Sequence, residues 1–181
     1  GLPVSGASIR LGHLIEGLQQ RIPDIRFSWL CKSEVVGNWK NHIWQGLESI
    51  QTDIILCAQL EDVALLPSRE QSNAPVVVDL YAPRLMESMY EVDDGSSAHH
   101  ILRAIARADA YLYAHPLQLD HWQALMRLVG TTNLSSRCLL TPLAIDLAPH
   151  TPSKSLKLVG GGRVWPWQNP WQNLSLLLEI L

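Results

Sequence analysis

Asp79 closes a run of three valines, Val76-Val-Val. A carboxylate in so apolar a strand is costly unless it is hydrogen-bonded or put to use. Asp79 is therefore a candidate acid, base or charge-stabilising group; the competing role is a carboxylate that caps a neighbouring loop. His115 stands at the end of a second apolar run, ahead of Pro116, and is the other catalytic candidate. Imidazole can move a proton near neutral pH, but a lone histidine more often serves structure. Around these two lie groups suited to binding. Ser5-Gly-Ala-Ser8 with Arg10 offers small residues and a cation at a helix start, where an anion or hydroxyl-rich ligand could approach the backbone. Tyr81 follows Asp79 and could line a pocket, and Gln118 follows His115. Thr141-Pro-Leu-Ala-Ile-Asp146 is a weaker corner. Gly160-Gly-Gly-Arg-Val-Trp-Pro-Trp167 leaves room for a diphosphate, with Arg163 to neutralise it and Trp165 and Trp167 to stack or pack.

Several chemistries lack their signatures. There is no GxGxxG fingerprint, no phosphate loop ending in GK[ST] and no GxSxG nucleophile turn. Cys31, Cys57 and Cys138 are far apart and odd in number, which suits reduced residues beside strands. His99 and His100 are adjacent, so they point in different directions, and no third ligand lies near in sequence. No metal site is expected.

Positioning these groups requires strands that end together. Ser8 is a candidate N-cap for a helix that carries Ile9, Leu14, Ile15 and Leu18 on one face and stops at Pro23. Strands are expected over residues 25–31, 53–58, 76–80, 110–114 and 137–141. Helices are expected over 39–50, 61–66, 98–108 and from Pro116 to about Val129, where Gly130 ends the last. Helix and strand alternate with no hairpin signal, so right-handed βαβ units and a parallel sheet follow. The expected fold is α/β: a Rossmann-like parallel sheet with helices on both faces, its ligands at the carboxyl ends of the strands. The first glycine corner comes at residue 1 with no strand before it, so the first strand is expected to be missing.

Residues 148–154 hold two prolines and small polar residues, and they divide the chain. Residues 1–148 are expected to form a Rossmann-like N-terminal domain, 149–155 a linker, and 156–181 the opening strand, loop and helix of a second, truncated domain. The terminal helix would show Leu174, Leu176, Leu177, Leu178 and Ile180 without a sheet of its own, so self-association through that end is expected. A net charge of −3 gives no broad basic surface, so nucleic acid is not an expected partner. No apolar run is long enough to cross a bilayer, and no signal peptide is seen. The default location is the cytoplasm, with peripheral contact at the inner face of a membrane allowed.

Three segments resemble the retaining group 1 glycosyltransferases of the GT-B fold. Val76-Val-Val-Asp-Leu-Tyr-Ala-Pro83 looks like that family's strand ending in an Asp-x-Tyr-[Asp/Ala]-Pro turn. Ala108-Asp-Ala-Tyr-Leu-Tyr-Ala-His-Pro-Leu-Gln-Leu-Asp-His-Trp122 is similar to its segment of spaced Ala-Asp, Ala, Gln and Trp. Gly160-Gly-Gly-Arg-Val-Trp-Pro-Trp-Gln-Asn-Pro170 resembles the glycine–tryptophan opening of its second domain, with Asn169 where Asp is frequent. Ser5-Gly-Ala-Ser-Ile-Arg10 looks like the first glycine loop, which is less specific.

The resemblance implies transfer of a sugar from a nucleotide diphosphate sugar to a glycan, lipid or small-molecule acceptor, with retention of configuration and no resident cofactor. Gly6, Ala7, Ser8, Arg10, Tyr81 and Gln118 would bind substrate on the acceptor side. Gly161, Gly162, Arg163, Trp165 and Trp167 would bind the donor. The family's glutamate pair lies late in the second domain, and no two glutamates here are eight positions apart. The residues that carry transfer are therefore expected outside this chain, and the chain alone is expected not to turn over substrate. Two other readings stay open: a non-catalytic nucleotide- or sugar-binding module of the same fold, and an unrelated Rossmann-like enzyme.

Overall fold

A computed structural model describes residues 6–28, 52–82, 85, 96–142 and 175. Among them, four short strands form one sheet: β1 (Ile55–Cys57), β2 (Val76–Asp79), β3 (Ala110–Tyr113) and β4 (Cys138–Leu140). Their order is sequential and every pairing is parallel. Helix α1 (Gly6–Arg21) precedes the sheet. Helices α2 (Leu60–Val63), α3 (Ser96–Arg107) and α4 (Pro116–Leu128) make the crossovers, and α5 (Leu134–Arg137) leads directly into β4. The chain is thus an α/β, Rossmann-like unit, as the alternation of elements requires.

The register sorts the strands' side chains into two faces. Ile55 lies opposite Val76, Val78 opposite Tyr111, and Tyr111 opposite Cys138. These residues share one face and form a core with Leu60, Val63, Ile101, Ala104, Ile105, Trp122 and Met126 of the crossover helices. Alternation along a strand sends Asp79, Leu112 and Leu139 to the other face. There Arg10 of α1 meets Asp79, so helices stand on both faces.

Local chemistry explains where the elements stop. Gly130 ends α4 with φ of +81°, a left-handed conformation that glycine adopts without a Cβ penalty. The Thr131 amide then donates to the Met126 carbonyl at 2.8 Å. The phenol of Tyr111 donates to the Ile105 carbonyl at 2.6 Å, joining β3 to the last turn of α3. Arg137 donates from Nε to the Asp109 carbonyl at 2.7 Å and from Nη2 to the Ala108 carbonyl at 2.5 Å, which seats β4 beside β3. Burial pushes the Cys57 thiol far above its usual range, so it packs as an apolar side chain.

Three expectations need correction. The helix starts at Gly6, so Ser8 lies within its first turn and is not the N-cap. Its buried face is Ala7, Arg10, Leu11 and Ile15, whereas Ile9 is 49% exposed and Leu18 36% exposed. The phase is set by Arg10 reaching inward to Asp79, which apolar spacing alone does not anticipate. Residues 25–28 have no strand pairing; the rest of the expected strand over 25–31 lies outside the described residues. The same holds for the expected helix over 39–50, the division at 149–155 and all of 156–181 except Ser175, which is helical.

Candidate functional site

The carboxyl ends of β2, β3 and β4 lie side by side, and the candidate residues gather there. Asp79 is the last residue of β2 and is 3% exposed. Arg10, from α1, is also 3% exposed. Its Nε donates to Asp79 Oδ2 at 2.5 Å, and its Nη2 donates to Thr141 Oγ1 at 2.5 Å. Thr141 follows β4; its amide donates to the Tyr113 carbonyl at 2.8 Å and its hydroxyl to the same carbonyl at 3.4 Å. One guanidinium therefore ties α1 to the ends of β2 and β4.

Electrostatics inside this cluster are finely opposed. Burial pushes the Asp79 carboxyl above the ordinary carboxylate range, while Arg10 and the Tyr81 amide pull the other way. Asp79 Oδ1 is buried and has no hydrogen-bond partner among the described residues. Arg10 was expected to face a ligand. The structure places its Nε and Nη2 on Asp79 and Thr141.

A second cross-link joins the loops after β2 and β3. Gln118 lies in the first turn of α4. Its Nε2 donates to the Tyr81 carbonyl at 3.2 Å, and its Oε1 accepts from the amides of Ala114 at 2.8 Å and His115 at 3.2 Å. His115 is the N-cap of α4: its Nδ1 accepts from the Leu117 amide at 3.2 Å, with Pro116 at the helix start. The pair forms a reciprocal cap that satisfies amides the helix cannot. His115 is exposed, and Tyr81 and Gln118 are half-buried, so these three are the candidates at the edge that solvent reaches.

The structure thus brings together Arg10, Asp79, Tyr81, His115 and Gln118. Ala7 is buried in α1. Gly6 and Ser8 belong to the first turn of the same helix. Gly161, Gly162, Arg163, Trp165 and Trp167 lie outside the described residues. Thr141 is the partner that sequence reasoning undervalued; its place just after the last strand was the available signal. Asp109 was passed over as a site residue. It accepts from the Val76 amide at 2.8 Å and pairs with Arg69, at the opposite, amino edge of the sheet.

No group of three histidine, cysteine, aspartate or glutamate side chains among the described residues could hold a metal ion. Among them, too, no helix is long and apolar enough to cross a membrane. No protein-family model, curated protein or solved structure matches this chain.

Proposed function

We propose that residues 1–148 form the acceptor-side lobe of a retaining glycosyltransferase of the GT-B type, which moves a sugar from a nucleotide diphosphate sugar to an acceptor. One observation carries the reading. Two of the three segments that resemble this family pair with each other as β2 and β3 and are tied again at the carboxyl edge, where Gln118 Nε2 donates to the Tyr81 carbonyl at 3.2 Å. Residues separated by 37 positions in sequence are thereby fixed where open parallel sheets take their ligands.

In this reading Asp79 is a positioning residue. Its carboxylate is held by Arg10 at the start of the loop that carries Tyr81. Tyr81, His115 and Gln118 form the face that meets the acceptor. The leaving diphosphate carries the developing negative charge, and loop amides with Arg163, in the segment that resembles the second domain, would stabilise it. Transfer would then depend on the two lobes closing around both substrates.

A second reading is a binding module without turnover. It is favoured because Asp79 and the Nδ1 of His115 are both engaged in structural bonds. Product mass spectrometry separates the two. The full reading frame that encodes this chain, offered a panel of nucleotide sugars and acceptors, should yield a glycosylated product with the donor's anomeric configuration. Binding without product supports the module. Neither binding nor product, with the protein folded, refutes both.

A further inference from the structure

At the amino edge of the sheet, away from Asp79, a cleft of about 400 Å³ opens between the loop after α2 and the exposed flank of α3. Its volume is in the range of small-molecule sites. His100, Arg103 and Arg107 are spaced by three and four positions, so α3 presents them on one flank. Ser68, Arg69 and Gln71 face them from the loop.

Three guanidiniums converge here. Asp109 supplies the carboxylate that pairs with two of them among the described residues: it bonds Arg69, and its Oδ2 lies 3.8 Å from Arg107 Nη1. That separation is too long for a hydrogen bond. Arg69 also donates to the Arg107 carbonyl at 3.2 Å, which holds the two side chains in one cluster. Arg107 Nη2 reaches the Ser72 carbonyl at 3.4 Å. Its Nε and Nη1 are buried and have no acceptor among the described residues. Burial, and after it the neighbouring Arg69, lower the Arg107 pKa, while Asp109 acts the other way. An anion would supply the missing acceptors and relieve the repulsion.

We propose that this cleft binds a phosphate monoester dianion, seated on Arg107 and Arg103. A guanidinium fork matches two phosphate oxygens, and the excess of positive charge suits a double negative charge. The site is independent of whatever the carboxyl edge does.

The test is calorimetric titration of the full 181-residue chain with inorganic phosphate at low ionic strength. Saturable binding that weakens with added salt is expected. Arg103→Gln alters an exposed side chain, and Arg107→Lys keeps the charge but removes the fork. Each should weaken binding by about tenfold or more, in proportion to one lost charge-assisted hydrogen bond. Circular dichroism checks that both variants remain folded, and Arg103→Gln keeps the test decisive if Arg107→Lys does not. No saturable response in the parent chain overturns the proposal, as does binding undiminished in the folded variants. An equal response to chloride overturns it as well. Sedimentation with phosphatidic acid vesicles distinguishes the source of the phosphate. A small soluble ester predicts that the chain stays in solution or is displaced by inorganic phosphate. Vesicle binding that phosphate does not displace overturns the soluble ligand.

Discussion

Removing one half of the Arg10–Asp79 pair should be far more damaging than removing both. The side chains are 3% and 2% exposed and meet at 2.5 Å. In Asp79→Leu the guanidinium stays buried, with Thr141 Oγ1 as its remaining acceptor among the described residues. Breaking a buried pair in this way costs about 3–5 kcal/mol. For a chain of this size each kcal/mol lowers Tm by roughly 2–4 °C, so a fall of about 6–20 °C is expected. Arg10→Met leaves Asp79 the cheaper escape of protonation. Burial already holds its folded pKa above the unfolded value, and loss of Arg10 raises it further. The favourable contribution of such a group is complete below the unfolded pKa and is lost as pH rises through the folded one. Arg10→Met should therefore regain stability on acidification toward the carboxylate range, and Asp79→Leu should not. The double variant Arg10→Met/Asp79→Leu replaces the pair with apolar volume and should lie within about 1 kcal/mol of the parent, or above it. Urea unfolding of the four proteins, followed by tryptophan fluorescence, gives the coupling energy. A loss below about 1 kcal/mol in Asp79→Leu, or a double variant as unstable as the sum of the singles, would refute the reasoning.

Other perturbations have opposite signs or smaller reach. Burial alone would raise the Asp109 carboxyl, but the Val76 amide, Arg69 and Arg107 outweigh it and hold the pKa below the ordinary value. Its stabilising contribution is present above the unfolded pKa and disappears as pH falls through the folded one; Asp109→Asn should flatten the acid limb of a stability–pH curve, and an unchanged limb contradicts this. Gln118→Leu strands the amides of Ala114 and His115 and frees the Tyr81 loop. A loss of about 1–3 kcal/mol is expected, with faster amide exchange at Ala114 and His115, measured by NMR. Tyr111→Phe removes the bond to the Ile105 carbonyl and should cost about 0.5–1.5 kcal/mol in chemical unfolding.

The sheet was legible because its strands announce themselves. Val76-Val-Val is β-branched and apolar on both sides, as a central parallel strand must be, and Gly130 and Pro116 mark the ends of α4. The expected boundaries of β2, β3, α3 and α4 fall within about two residues of those observed, the usual uncertainty of helix and strand ends. The site was legible as a set of corners but not as a network. Arg10 and Asp79 are 69 positions apart, and Arg10 and Thr141 are 131 apart. Local pattern carries no information about such pairs, so Arg10 reads as a free cation at a helix start. Its inward position also explains why the apolar face of α1 was misjudged: a buried arginine occupies the place where spacing seeks a leucine. His115 illustrates the converse. Its value as a cap lies in the capping geometry with Gln118, three residues on, a spacing present in the sequence, where His115 reads as a catalytic candidate and Gln118 as a binding one.

The amino-edge arginines were hidden for a related reason. The face of α3 read from the sequence is its apolar one, Ile101, Leu102 and Ile105, and a charged flank usually means solvent. Among the described residues, the loop carrying Ser68 and Arg69 turns that flank into a cleft. The sheet thus has two edges of different character, a carboxyl edge cross-linked by buried polar bonds and an amino edge with cationic donors that lack acceptors among the described residues.

The central claim is that the acceptor is recognised at the carboxyl edge. Amide and side-chain NMR shifts of the full chain, titrated with a panel of glycan, lipid and small-molecule acceptors, test it most directly. The account predicts perturbations clustered at Tyr81, His115, Leu117 and Gln118, with the Arg69–Arg107 cleft unaffected. Shifts confined to that cleft, or a carboxyl edge that responds to no acceptor of the panel, would contradict it.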